Sequence, residues 1–261
     1  MATADVVTTD RWDRIAPRYD EGVGNTASIG VIALATDRIG VWDLERFLDP
    51  VAGLAVFSTR VPMAESATPE TLAAMGGHLA DAARLIVPGS RLDVVAFSCT
   101  SGTVAIGADK VRAAIEGARP GVAVTTPIEA AAAGLETLGA RRIALVTPYL
   151  IRTAELVAGY FEAAGIDIGA LATFDLGGDP DMNRVAPDAI AAAAADTVAR
   201  AEKVDAVFVS CTGLRTSPVV GRMEQELGLP VVTSNQALAW RSLRLAGIQA
   251  PVSGRGRLFE L

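Results

Sequence analysis

From Ser28 onward, short runs of β-branched and other apolar residues alternate with longer Ala- and Leu-rich stretches. An apolar run of about four to eight residues, bounded by Gly, Pro or polar positions, predicts a strand buried on both faces. By this rule strands fall at Ile29–Ala35, Leu54–Thr59, Val94–Ser98, Val122–Thr125, Ile143–Thr147, Ile168–Phe174, Ala206–Ser210 and Val231–Thr233. Helical composition fills Pro69–Ile86, Ile128–Leu138, Thr153–Ala164, Pro187–Arg200, Pro218–Leu227 and Gln236–Leu245. Several of these open with Pro, whose fixed φ and missing N–H suit a first helical turn. Strands alternating with helices define βαβ units, so the chain is expected to be α/β with parallel sheets. Residues 1–27 mix polar and charged positions with Pro17 and show no sustained period, and they read as an N-terminal arm.

The chain also repeats itself. SIGVIAL at 28–34 resembles RIALVTP at 142–148, an offset of 114. DVVAFSCTSGTVAIG from Asp93 resembles DAVFVSCTGLRTSPVVG from Asp205, an offset of 112. VTTPIEA from Val124 resembles VTSNQA from Val232, an offset of 108. Three matches in one order at nearly one offset imply two similar halves. The middle match weighs most, because D-x-V-x-x-S-C-T recurs complete and carries the only two cysteines of the chain.

Composition narrows the function. With 51% hydrophobic and 20% charged residues the chain can bury a core, and 23 Lys and Arg against 30 Asp and Glu leave a net charge of −7. That balance, with no dense basic run, excludes the electrostatic footprint of a nucleic-acid binder. No stretch supplies the ~18 continuous apolar residues of a membrane span, and the N-terminal residues lack the basic start and apolar block of a secretory signal. A cytoplasmic protein is expected. Two cysteines and one histidine, His78, match neither a disulfide framework nor a spaced zinc pattern, so no metal is expected. Gly24, Gly30 and Gly40 form no dinucleotide fingerprint, and no phosphate loop is present, which makes chemistry without a cofactor the simpler reading.

Each cysteine follows an apolar strand and precedes Thr and Gly, so each sits where strand gives way to loop. Ligands of open parallel sheets bind outside the carboxyl ends of the strands, which places Cys99 and Cys211 at crevice positions. If a pseudo-two-fold axis relates the halves, the two thiols face each other across one cleft. One carbon could then be approached from both faces, with one thiolate removing a proton or attacking and the other thiol delivering a proton. Backbone N–H groups of Thr100, Ser101, Gly102, Thr212 and Gly213 would lower the thiol pKa from about 8.5 and would hold a carboxylate. His78 reads as a surface or packing residue.

A strand running into SCTSGT, a second running into SCTG about 110 residues later and ALVTPY between them resemble the aspartate/glutamate racemase superfamily. The likeness is to its branch of maleate cis-trans isomerases, arylmalonate decarboxylases and ectoine-utilisation proteins, and it runs from about Ser28 to the end. The resemblance implies two pseudo-symmetric Rossmann-like halves, each a parallel sheet flanked by helices, with the active site between them. It implies residues 28–126 plus 234–261 for the first half and 127–233 for the second, the helix after Thr233 crossing back. It further implies no cofactor and no metal, a small carboxylate substrate, and a homo-oligomer, dimer or tetramer.

By motif, Cys99 resembles the first-half nucleophile or base and Cys211 the second-half acid/base. Thr100 and Ser101 resemble a pair gripping a substrate carboxylate, joined by the Tyr149 hydroxyl, the backbone at Thr212 and Gly213, and Asn183 from the DMNRVAP loop. Asp37 stands in ALATDRIG where maleate isomerases present Asn. Unless paired, for example with Arg38, it would repel a carboxylate, and this departure favours the ectoine-utilisation branch. The decarboxylases retain only the second-half cysteine, so two cysteines favour an isomerase, racemase or cis-trans type. A decarboxylase or ectoine-degradation enzyme is the alternative, and a non-catalytic ligand-binding module is the alternative of another class.

Overall fold

The computed structural model describes Trp12 and residues 15–261; the remainder of the expected arm lies outside the described residues. The first sheet contains β1 (Ala27–Leu34), β2 (Leu54–Val61), β3 (Val94–Phe97) and β4 (Ala123–Thr125), in the order β2-β1-β3-β4. The second contains β5 (Arg142–Tyr149), β6 (Asp167–Leu176), β7 (Ala206–Val209) and β8 (Val231–Thr233), in the order β6-β5-β7-β8. Every pairing is parallel. The fold is therefore α/β, with two halves of one topology, and the three repeated sequence pairs fall on β1 and β5, β3 and β7, and β4 and β8. Ala27 is the first residue of β1.

The inner strands β3 and β7, and β8 at the sheet edge, are buried at every position, which is why they read as unbroken apolar runs. The edge strand β6 alternates toward solvent along its length. The repeated Asp is a staple between strands: Asp93 Oδ2 accepts from Ser28 N at 2.8 Å, and Asp205 Oδ2 accepts from Arg141 N and Arg142 N at 2.9 Å. Each ties the start of one inner strand to the start of its neighbour, so the D-x-V portion of the motif is architecture.

Helices α1 (Gly40–Leu48), α2 (Pro69–Ala74), α3 (Leu79–Leu85), α4 (Thr100–Ile106), α5 (Ala108–Ala118), α6 (Pro127–Thr137), α7 (Ile151–Ala163), α8 (Asp179–Met182), α9 (Pro187–Arg200), α10 (Val220–Leu227) and α11 (Ser234–Leu245) cover the sheets. The single helix expected over Pro69–Ile86 is broken by a 3₁₀ turn at Met75–His78, where Gly76 and Gly77 weaken the helix, and His78 is exposed on that turn. Helices α1, α4, α5 and α8 are not among the expected elements. Helix α11 packs on α6 and α1, and the following segment returns so that Phe259 stacks on Phe47 with ring centroids 5.9 Å apart. Among the described residues, no helix is long and apolar enough to cross a membrane.

Candidate active site

Both cysteines lie at carboxyl ends of inner strands and line one cavity, together with Leu34, Met63, Ala67, Leu72, Thr100, Ser101, Tyr149, Asp179, Met182 and Thr212. Both thiols are free and buried. Cys99 caps α4, its Sγ accepting from Gly102 N at 3.3 Å, and Cys211 Sγ accepts from Gly213 N at 3.2 Å. The same local device thus holds each sulfur.

The glycines of SCTSG and SCTG leave room for it: a Cβ at Gly102 would sit 2.7 Å from Cys99 Sγ, and one at Gly213 would sit 3.4 Å from Cys211 Sγ. Cys211 has φ 103°, a conformation that costs a non-glycine residue about 1–3 kcal/mol and that marks functional positions. The fold around it must hold that strain.

Loops of both halves close the cavity. The Thr36 hydroxyl donates to Asp179 Oδ2, Asn183 Nδ2 donates to Thr36 O at 3.4 Å, and Ala67 N donates to Gly177 O at 2.9 Å. The space open to water centres is about 10 Å³, room for about one water. The cavity as it stands has no room for a larger molecule. Outside them lies a wider hollow of about 690 Å³, lined by Arg38, Arg184 and Arg215 among others and sharing Thr36 and Asn183 with the loops.

The hydroxyls divide their work differently from the expectation. Thr100 Oγ1 donates to Ser234 Oγ at 2.8 Å, and Thr212 Oγ1 donates to Ser98 O at 3.1 Å, so both are committed to holding the surrounding loops together. Ser234 Oγ also accepts from Cys211 N at 3.0 Å, and it thereby ties the two cysteine loops together. Ser101 keeps its hydroxyl beside Cys99. Tyr149 pairs its hydroxyl with Ser210 Oγ at 3.1 Å, next to Cys211. The first-turn N–H groups of Thr100 and Ser101 have no intrahelical acceptor, the usual state of a helix start.

Asp37 is 4% exposed but does not line the cavity. Its Oδ1 accepts from Ile39 N at 2.8 Å and Gly40 N at 3.0 Å, and its backbone oxygen accepts from Arg60 at 2.6 Å, so it shapes the turn into α1. Arg38 is exposed, and Arg60 is the cation that acts on the Asp37 carboxyl. Burial raises that carboxyl to about 6 against the two N–H bonds. A carboxyl held more tightly protonated by the fold loses stability for the protein as pH rises from about 4 to about 6. The loss amounts to about 3 kcal/mol at 1.36 kcal/mol per unit. Asp37→Asn keeps an acceptor for the turn, and its advantage over the parent in chemical denaturation is expected to grow across that window. An advantage independent of pH would contradict this.

Burial also governs the thiols, and here the expectation is corrected. Cys99 is pushed up to about 12 by burial first, with Gly102 N–H opposing and the Asp179 charge adding to the rise. Cys211 is likewise raised well above the ordinary range, by burial first and then by Asp179. In this closed arrangement single N–H bonds do not offset desolvation, and both thiols are neutral near pH 7. Without substrate, iodoacetamide should therefore alkylate them far more slowly than free cysteine, with rates still climbing above pH 9. A plateau near pH 8 would contradict the buried geometry.

Of the expected residues, the cavity lining gathers Cys99, Cys211, Thr100, Ser101, Tyr149 and Thr212; Gly213 and Asn183 stand just behind Cys211, and Asp37 lies apart. Asp179, Thr36 and Ser234 were missed. Asp179 and Thr36 lie 143 residues apart in the chain, and no local pattern announces such a contact.

Two like halves with a thiol-bearing cavity between them define a racemase-like α/β enzyme. The chain belongs to the arylmalonate decarboxylase family, whose model matches residues 68–259. A maleate isomerase of Nocardia farcinica is 30% identical over 81% of this chain and 86% of its own length. An arylmalonate decarboxylase of Bordetella bronchiseptica is 33% identical over 54% of this chain and 59% of its own. The solved structure of a Cys-to-Ser variant of Nocardia farcinica maleate cis-trans isomerase, with a covalently bound succinylcysteine intermediate, superposes with a TM-score of 0.81. It is 25% identical, and the match covers 90% of this chain and 98% of that one.

Proposed function

We propose that the protein is a cofactor-independent isomerase in which Cys99 and Cys211 act on opposite faces of one carbon of a small carboxylate. The observation that carries this reading is that two equivalent thiols, one from each half, line a single cavity. Neutral donors grip the carboxylate: the Ser101 hydroxyl, the free N–H groups at the start of α4 and the loop backbone after Cys211. Such preorganised donors also stabilise the negative charge that develops when a proton leaves the neighbouring carbon.

In a racemisation, one thiolate takes the proton and becomes a thiol, while the facing thiol gives its proton to the other face and becomes the thiolate. One thiolate and one thiol remain, exchanged in position. In a cis-trans isomerisation, a thiolate adds to the double bond, the C–C bond rotates, and elimination restores the thiolate. The succinylcysteine carried by the related isomerase supports thiol addition as chemistry open to this architecture. Decarboxylation is the second reading, favoured by the family model; the presence of both cysteines weighs against it. The ALATD stretch at 33–37 supports a role in ectoine breakdown, a choice of substrate that leaves the thiol chemistry unchanged.

The test is proton NMR in deuterium oxide with a panel of maleate, aspartate, glutamate, substituted malonates and ectoine breakdown products. Isomerised product, or deuterium entering the carbon beside a carboxylate without loss of carbon dioxide, is the expected result. Stoichiometric release of carbon dioxide would overturn isomerisation in favour of the decarboxylase.

A further inference from the structure

Among the described residues the cavity lining contains no Lys, Arg or His, yet it contains a carboxylate, Asp179. Asp179 is 8% exposed and sits on α8, where only one of its oxygens is engaged, by the Thr36 hydroxyl. A second acceptor stands beside it. Asn183 is also 8% exposed, its Nδ2 is turned to Thr36 O, and its buried Oδ1 has no hydrogen-bond partner. The two free oxygens and the thiol of the second half all lie around Gly213. A Cβ on Gly213 would lie 3.1 Å from Asn183 Oδ1, 3.4 Å from Cys211 Sγ and 3.8 Å from Asp179 Oδ1.

A buried acceptor without a donor, as at Asn183 Oδ1, is costly, and burial with no cation beside it pushes the Asp179 carboxyl above its ordinary range. A group with several N–H donors and a positive charge satisfies both oxygens at once. A second carboxylate would instead meet Asp179, with the Asp37 charge close enough to interact with it.

From this geometry, and resting on the two-thiol reading above, we infer that the substrate is a small monocarboxylate bearing an ammonium group, which Asp179 and Asn183 bind beside Cys211. The remaining lining, Leu34, Met63, Ala67, Leu72 and Met182, suits a short apolar remainder. Maleate, a dicarboxylate with no ammonium, fits this cavity poorly, so the chain departs in specificity from the relatives named for it. The ammonium also supplies what the buried thiols lack. It cancels the Asp179 charge that opposes ionisation of both cysteines and sets a positive charge beside Cys211, so the thiolate forms when the substrate is in place.

The experiment is equilibrium binding by ligand-observed NMR, comparing 2-aminobutyrate, 2-hydroxybutyrate, butyrate and succinate on the wild-type protein and on Asp179→Asn. The wild type should prefer 2-aminobutyrate over the other three by about a hundredfold, the scale of an unpaired buried charge. Asp179→Asn, which keeps an acceptor for Thr36, should shrink the preference to a few-fold. Equal or tighter binding of succinate or 2-hydroxybutyrate, a preference unchanged in Asp179→Asn, or binding of none of the four would overturn the inference. Those results leave the two-thiol reading standing. Isomerisation that survives loss of Cys99 would remove that reading while leaving the binding preference intact.

Discussion

Cys99→Ala is expected to lower isomerase turnover by at least about a thousandfold, Cys211→Ala by a similar factor, and the double variant by little more than either alone. On the two-thiol proposal the sulfurs act as a unit: in a racemisation a carbon that loses its proton on one face must regain it on the other, and each thiol serves one face. Asp179 is the remaining titratable carboxylate of the lining, and its free oxygen lies near Cys211. Binding of a carboxylate ligand should survive in both single variants, because the Ser101 hydroxyl and the start of α4 remain. Turnover by Cys99→Ala at a wild-type rate would show that one sulfur suffices and would return the enzyme to decarboxylase-like chemistry.

The largest stability effect is expected at Asp43, outside the cavity lining. This residue of α1 is fully buried, and its carboxylate accepts from Thr216 N and Oγ1 at 3.1 and 2.8 Å. It also accepts from Ser217 N and Oγ at 3.0 and 2.6 Å and from Asn235 Nδ2 at 3.0 Å. One side chain thus gathers the loop after β7 and the start of α11 onto a helix of the first half. Asp43→Ala strands those donors in a site closed to water and should cost about 3–5 kcal/mol in urea denaturation. A loss below about 1 kcal/mol would mean that water or rearranged loops take over the donors.

These two sites were unequally legible in the sequence. Inner strands of a parallel sheet are apolar on both faces, so β3, β5 and β7 were readable, and the repeat showed that their ends are equivalent. Cys99 and Cys211 followed from that equivalence. Helix α4 was not readable, because its first turn is Thr-Ser-Gly-Thr, a composition typical of turns; the Thr103 hydroxyl bonding Cys99 O at 2.7 Å supports it in place. Helix α1 was overlooked although Val41, Leu44, Phe47 and Leu48 carry helical spacing. Asp43 within it gave no sign of its partners, which lie up to 192 residues away. The thiol pKa was misjudged for the same reason: the N–H donors are local and visible in SCTSG, whereas the burial that outweighs them is a property of two halves closing together.

The most direct measurement is a crystal structure of the protein with the carboxylate it turns over, or a slow analogue, bound. The account predicts one ligand carbon within about 4 Å of both Cys99 Sγ and Cys211 Sγ, on opposite faces, with the carboxylate against Ser101 and the start of α4. A ligand touching only one sulfur, or lodged in the outer hollow among Arg38, Arg184 and Arg215, would contradict it.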